Sequence, residues 1–393
     1  MRRGFVLLAA ATAVLAAGCA GTFENQPPSP YDAYGDAGYF YDDLAPYGTW
    51  VDVAPYGWAW CPLDTPFGWR PYTLGTWAST DYGWMWMSDD PWGSIPYRYG
   101  RWTYDDFYGW IWIPGDVWAP AWVAWRYGDG WVGWAPLPPG AEWSAAGGLS
   151  WGPADLDQSI DRFGWCFVSE RQFMPTRQRL AVQPASRNVT LLSLTRDVTR
   201  YESVNNVPVF RGLTRSQVER AVGRSVPEYR VVETRTPPRP GTSRIRGQNV
   251  EVYRPPVQIA ERLRERLDAT PPNAQSLPPR LLQRQQRERE QMSQRAGQEL
   301  EQLKQEQQRE LRQPPPGVSL EQLRQRQQAE TRAQQELVQR QQRMMQQREA
   351  RLRGRTPGQR PSQADERTRT APDRGQGQDS GRDGGPQRDR GGR

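Results

Sequence analysis

The sequence holds no histidine, one lysine (Lys304) and three cysteines, and no aromatic residue follows Tyr253. Each shortage narrows what the chain can do. Without histidine there is no Ser-His or Cys-His pair, and the commonest general base at neutral pH is missing. Zinc and copper sites want clusters of Cys and His, which the chain lacks. Asp-rich loops exist, but not at EF-hand or nonapeptide spacing, so neither a metal nor a cofactor is expected. Adjacent carboxylates occur at Asp42-Asp43, Asp89-Asp90 and Asp105-Asp106. A glycosidase needs two carboxyls facing each other across a cleft. Neighbouring Asp in loops more commonly bond to local backbone, so an Asp-dependent hydrolase is a remote alternative and no catalytic residue is assigned.

Long apolar runs are missing too. Phe5 to Ala17 follows a basic Arg2-Arg3 and is of signal-peptide length, too short for a stable membrane span. It ends in "LAAGC", which resembles a bacterial lipobox, with Ala16 where Leu is usual. That resemblance implies removal of residues 1–18 and diacylation of the Cys19 thiol. Ala20 after the cysteine resembles outer-membrane sorting. The expectation is an exported protein, lipid-anchored to the outer membrane and facing the periplasm, since two or three acyl chains anchor stably. The alternative is an ordinary secretory signal. Cys61 and Cys166 then remain, either bridged, at a gain of about 4 kcal/mol in the chain-entropy model, or as buried thiols.

What is abundant is tryptophan. All 19 lie between Trp50 and Trp165. Charge is also divided: residues 20–140 carry net −10, residues 141–253 net +5 and residues 254–393 net +10, within an overall +7. An acidic head is joined to a basic tail. The acidic head argues against nucleic acid as its partner.

Residues 19–38 read as a flexible tether rich in Pro, Gly and Asp. Residues 39–140 repeat themselves: "GTWVDVAPYGWAW" from Gly48, "GTWASTDYGWMWM" from Gly75, "GRWTYDDFYGWIWI" from Gly100 and a degenerate "GDGWVGWAP" from Gly128, at intervals of 27, 25 and 28 residues. Each unit reads as a β-hairpin. A two-residue Tyr82-Gly83 loop places Trp77, Trp84 and Trp86 on one face and the methionines on the other. A three-residue loop, Phe107-Tyr108-Gly109, does the same for Trp102, Trp110 and Trp112. Residues 141–253 read as further strands with one helix over 216–223, capped by Ser216. They form either the second half of one β-rich unit or a small α+β domain. Residues 254–353 read as Gln/Arg/Glu-rich helices over 257–269, 280–313 and 318–353, the last opened by a Ser319/Gln322 capping box. Sparse leucines at near-heptad spacing leave these as solvated helices or as coiled-coil strands. Residues 354–393 read as disordered. The fold class is mainly β, from antiparallel Trp-rich hairpins, followed by a helical and disordered tail.

The string "GWRPYTLGTWASTDYGWMWMSDDPWG", with "YGRW", "YGWIWIPGDVWAPAWVAWR" and "GWAPLPP", resembles the bacterial exported family called domain of unknown function 6600. No activity is established for that group, so the resemblance implies an exported, often lipid-anchored protein and no mechanism. Its members often carry His before "YGRW", where this chain has Arg98.

Sixteen Trp side chains of about 200 Å² each require roughly 3,200 Å² of apolar surface to be placed in a head that exposes only roughly 6,500 Å² in total. Most must be inside. Any left out, such as Trp84, Trp86, Trp110 or Trp112, would form an aromatic platform with acidic rim suited to sugar rings. Two functions follow as expectations. One is a non-enzymatic envelope lipoprotein of structural or interaction role, with peptidoglycan, polysaccharide or an envelope protein as partner. The other is a carbohydrate- or peptidoglycan-binding module using exposed Trp. The basic tail would contact anionic envelope polymers or the acidic head of its own chain.

Overall fold

A computed structural model describes residues 35–66, 68–151, 159–174, 180–204, 206–234, 244–253, 259–269 and 279–354. The expected signal peptide, Cys19, most of the expected tether and the terminal tail lie outside the described residues.

A helix α1 (Gly35–Leu44) comes first. It crosses the end of the expected tether, because Phe40 and Leu44, one turn apart, are both fully buried. Four hairpins follow: β1 (Gly48–Val53) with β2 (Gly57–Pro62), β3 (Gly75–Thr80) with β4 (Gly83–Ser88), β5 (Arg101–Asp105) with β6 (Gly109–Ile113), and β7 (Val123–Gly128) with β8 (Trp131–Pro136). The repeat is therefore a hairpin repeat. Its turns sit one residue earlier than expected: Thr80 pairs with Gly83 across Asp81-Tyr82, and Asp105 with Gly109 across Asp106-Phe107-Tyr108. Gly83 and Gly109 sit just past the loops, paired with Thr80 and Asp105 at φ +83° and +80°, a conformation glycine adopts without strain. The shift of one at each end preserves parity, so Trp77, Trp84 and Trp86 still share a face, as do Trp102, Trp110 and Trp112, but the partners change: Trp77 lies opposite Trp86 and Trp102 opposite Trp112. The fourth unit begins before Gly128, which closes its first strand instead of opening it.

The short strands β9 (Glu142–Ser144), β10 (Gly148–Ser150) and β11 (Cys166–Ser169) follow, then helix α2 (Asn188–Leu194), β12 (Arg196–Asp197), β13 (Tyr201–Val204) and β14 (Val207–Phe210). Helix α3 (Arg215–Val222) is capped by Thr214, not Ser216, in a capping box with Gln217, and Gly223 ends it in the left-handed region. Strands β15 (Glu228–Thr234), β16 (Arg244–Arg246) and β17 (Asn249–Tyr253) precede helices α4 (Ile259–Ala269), α5 (Pro279–Arg312) and α6 (Leu320–Gly354).

The hairpins do not stack into one sheet. They seed three: β1-β2-β6-β5, β11-β8-β7-β12 and β16-β17-β15-β3-β4. Residues 141–253 complete the last two, and β15 does so parallel to both β3 and β17, a departure from purely antiparallel pairing. The Trp faces of all three sheets meet in one core. Fourteen of the nineteen Trp are buried and the other five half-buried, as the area argument requires. Ring centroids lie 5.0 Å apart for Trp77–Trp86, 4.5 Å for Trp77–Trp125 and 5.0 Å for Trp60–Trp92, tilted or edge-on. Indole N–H groups tie the sheets to the irregular segments between them. Trp60 donates to Leu44 O at 3.1 Å, Trp84 to Leu213 O at 2.9 Å, Trp112 to Tyr99 O at 2.7 Å and Trp134 to Tyr72 O at 2.9 Å.

The helical tail is not solvated. Leu263 and Leu267 of α4 enter the main core, and Leu281 of α5 packs with Val51, Val53, Ala59, Cys61, Leu63 and Ile111 on the other face of the first sheet. The helices α5 and α6 pair with each other through the PPPG turn, and the predicted Ser319/Gln322 capping box is formed.

The closest approach in the first hairpin is at Gly48, where a Cβ would stand 2.2 Å from Trp60 Cε2. Trp60 is fully buried and cannot swing away. Gly48→Ala is expected to destabilise the head by about 1–3 kcal/mol, read as a lower denaturation midpoint at unchanged slope.

Candidate functional site

The arm formed by α5 and α6 lies against the head through charge. Two contacts on α4 and the start of α5 match basic tail to acidic head: Arg266 with Asp42 at 3.2 Å, and Arg280 with Asp64 at 3.2 Å. Further along, the signs reverse. Arg187 of the head meets Glu310 at 2.6 Å, with Glu306 and Glu330 each at 3.5 Å, and Arg162 pairs with Glu336. The net charges of head and tail therefore describe only part of the contact.

Its centre is a buried triad. Glu288 accepts from Arg284 at 2.8 Å and from Arg348 at 2.9 Å, with all three side chains at most 15% exposed. Arg284 also donates to Cys61 Sγ at 3.2 Å and to Pro62 O, and Arg348 donates to Asp106 O at 3.2 Å. The triad thus grips the turn of the third hairpin and the end of β2. Gly109 lets it in: a Cβ there would stand 3.0 Å from the Arg284 guanidinium. Burial pushes the Glu288 carboxyl up, but the two guanidinium groups outweigh it and hold it below the usual range.

Beside the triad, head and arm form a half-open cavity of about 340 Å³. Trp69, Tyr104, Trp110 and Phe163 supply its aromatic walls. Leu337, Met344 and Met345 come from α6, and Gln183, Gln302 and Gln341 are among its polar lining groups. Tyr104 and Trp110 meet edge to face at 5.5 Å, and Arg340, paired with Asp161, lies 5.5 Å from the Tyr104 ring centroid.

The expected Trp platform is overturned in three of its four members. Trp84 is 3% exposed, and Trp86 and Trp112 are fully buried. Their face is the one that three sheets share. Only Trp110 keeps part of its ring open, and it does so in the cavity wall rather than on an outer surface. The possible disulfide is also corrected: Cys61 and Cys166 are buried free thiols. Cys61 donates to Tyr108 O at 3.3 Å in the small cluster beneath α5, whereas Cys166 sits in the main core near Pro71 O. Burial pushes both thiols up.

Of the adjacent carboxylates, Asp42 meets Arg266 of α4, while Asp105 and Asp90 are in local service. Asp105 accepts from the Phe107 and Tyr108 amides, each at 2.8 Å, and fixes the hairpin turn. Asp90 is 7% exposed and accepts from Tyr97 Oη at 2.6 Å. Arg98, before the "YGRW" string, is buried and donates to Pro120 O at 2.7 Å and Trp86 O at 2.6 Å. Burial pushes it down to about 10. Among the described residues no group of three or more His, Cys, Asp or Glu could hold a metal ion, and no helix is long and apolar enough to cross a membrane.

The sequence reading missed Arg284, Glu288 and Arg348. The i,i+4 spacing of Arg284 and Glu288 was visible, but the tail contains many such pairs and only the fold distinguishes this one.

These features define a class: a Trp-cored β head clasped by a charged helical hairpin of its own chain. Residues 41–141, the segment of the four hairpins, match the model of a family of unknown function (DUF6600). No curated protein and no solved structure matches the chain.

Two predictions follow from the buried charges. Removing the acid of the triad leaves two buried guanidinium groups facing each other, so Glu288→Gln is expected to cost about 3 kcal/mol or more and to speed proteolysis of the arm. Because the Glu288 carboxyl is held low, its contribution is present above the ordinary glutamate range and fades as pH falls below it. Asp90 behaves oppositely. Burial pushes it up to about 6, so between about pH 4 and 6 the folded protein keeps a proton that the unfolded chain has lost. Stability therefore falls as pH rises through that window, by an amount of order 3 kcal/mol. Asp90→Asn, which can still accept from Tyr97, is expected to flatten this part of the stability–pH curve and to be the more stable protein at pH 7.

Proposed function

We propose that the protein is a non-enzymatic, lipid-anchored component of the cell envelope with a binding role, exported and held at the outer membrane through Cys19. The observation that carries the binding role is the cavity between head and arm. The Trp wealth of the head is committed to its core, and the triad at the cavity edge has its carboxylate satisfied by two guanidinium groups. A carboxylate held low between two arginines is a poor proton carrier at neutral pH. What is left over is a recessed space with aromatic and amide walls, a combination suited to holding a ligand.

The anchoring rests on the N-terminal sequence: Arg2-Arg3, the apolar run from Phe5 to Ala17 and "LAAGC" ending in Cys19. Partners within reach of such an anchor are peptidoglycan, polysaccharide or another envelope protein. The arm is folded onto the head, so head and arm are presented to them together.

Cys19→Ser is expected to move the protein from the membrane fraction to the soluble fraction with its tryptophan fluorescence unchanged. Unchanged membrane association of the variant would overturn the anchoring.

A further inference from the structure

We infer that the tip of the arm, the turn between α5 and α6 with the arginines on either side of it, is a contact surface for an anionic lipid bilayer. The inference goes beyond the attachment through Cys19 proposed above, and the contact itself needs no acyl chain. Three observations carry it.

The first is a separation of charge that folding creates. Residues 306–332 hold five arginines, Arg309, Arg312, Arg324, Arg326 and Arg332, against four glutamates, so the stretch is close to neutral as sequence. Docking sorts these charges. Glu306, Glu310 and Glu330 meet Arg187 of the head at 3.5, 2.6 and 3.5 Å. Glu321 is left as the one carboxylate of the stretch outside that cluster. The five arginines have no ion pair among the described residues, and all but the half-buried Arg326 are exposed. The distal arm therefore presents guanidinium groups to water while its carboxylates are committed to the head.

The second is an apolar cap between the arginines. Residues 313–320, "QPPPGVSL", carry no charge, and Pro314, Pro315, Pro316 and Leu320 are exposed. Leu320, at 51% exposure, is the most exposed large hydrophobic side chain among the described residues, and Leu311 just before the turn is 39% exposed. Arg309 and Arg312 flank this cap on α5, and Arg324 and Arg326 flank it on α6. A soluble polyanion would complement the arginines and leave the leucines and prolines in water. A bilayer takes both. Headgroup phosphates meet the guanidinium groups, and the cap enters the boundary between headgroups and acyl chains.

The third is the position of the cap. The base of α5 lies against the head, where Arg280 donates to Pro46 O at 2.9 Å. A helix of 34 residues places its far end about 50 Å away. The ion pairs of arm with head nearest the turn are those of Arg187 with Glu310 and Glu330, and residues 311–322 are all exposed except the half-buried Val318. Residues 20–140 carry net −10, so an anionic surface repels the head. The cap is the part of the molecule that can approach such a surface. Contact there would fix how head and cavity are turned relative to the membrane.

The test is co-flotation with vesicles of the chain from residue 19 onward, as the proposed processing leaves it, carrying Cys19→Ser. Vesicles of phosphatidylethanolamine with phosphatidylglycerol are compared with vesicles of phosphatidylcholine alone. Two double variants alter the tip: Arg312→Gln with Arg324→Gln, and Leu311→Ser with Leu320→Ser. A control of equal charge, Arg289→Gln with Arg343→Gln, lies nearer the base of the arm and is also exposed. Binding to the anionic vesicles is expected to be about tenfold stronger than to phosphatidylcholine and to fall as salt rises. Each tip pair is expected to weaken it by about tenfold, and the control pair by at most about twofold. Thermal midpoints stay unchanged, since all the altered side chains are exposed. Absence of a preference for anionic vesicles overturns the inference. Equal weakening by the tip and control arginine pairs also overturns it, because net charge alone would then account for binding. Weakening by the arginine pair but not by the leucine pair assigns the surface to a soluble polyanion and overturns the bilayer. The assayed chain carries no acyl group, and a salt-screened contact is removed by a high-salt wash. Release of Cys19→Ser from membranes washed in this way still tests the anchoring, so failure of the tip and failure of the anchor are separable.

Discussion

Everything in this molecule follows from the need to keep indole rings out of water on short strands. A six-residue hairpin strand has three positions per face, and here both faces are apolar: Trp on one, and Met, Ile, Val or Ala on the other. A single sheet can cover only one of these. The hairpins therefore divide among three sheets whose Trp faces converge, with rings meeting edge-on and indole N–H groups reaching backbone carbonyls. The reverse faces are then left to be covered by something else.

That need explains the arm. The reverse face of the first sheet, with Val51, Val53, Ala59 and Ile111, is closed by Leu281 at the start of α5. The reverse face of β7–β8, with Ala124 and Ala135, packs against Leu191 of α2. Yet α5 and α6 are poor in apolar residues, with mean composition dominated by Gln, Arg and Glu. They cannot dock by hydrophobic area alone. Docking is completed by ion pairs and hydrogen bonds, and buried ones are costly unless every member is satisfied. Arg284 meets that condition through Glu288, Cys61 and Pro62 O together. Such a contact fixes register more than it adds stability: Gln285 finds Phe107 O, and Arg348 finds Asp106 O, only when the helices sit at one place along the turn.

What could be read from the sequence divides along the same line. Hairpins, the parity of the Trp faces, the burial of most Trp and the Ser319 cap depend on local pattern and on area, and they were legible. The three-sheet arrangement was not, because a repeat says that units are alike and not which partner each one takes. β15 running parallel to β3 joins residues about 150 positions apart, and no local signal encodes that. The site was the least legible part. Trp110 was named among four Trp, but its difference from Trp112, two residues away on the same face, arises because Phe40 of α1 and Trp50 cover Trp112 while Trp110 lines the cavity beneath α5 and α6. Trp69 belongs to a loop outside the repeat, and the resemblance of the string that opens with Gly68-Trp69 gave it no role.

The cavity itself has a physical origin in this division of labour. Helices that carry long Gln and Arg side chains cannot interdigitate with an aromatic surface as Leu-rich helices do, since their polar ends must reach partners at the edges. They hold the contact at its margins, at the Arg284–Glu288–Arg348 triad on one side and at Arg187 with Glu306, Glu310 and Glu330 on the other. Between those margins the surfaces stand apart. A Leu-rich arm would close the gap and add stability, and it would also erase the only half-open indole of the third hairpin's Trp face. A polar arm fastened at two places therefore yields a recessed aromatic space without a dedicated binding domain.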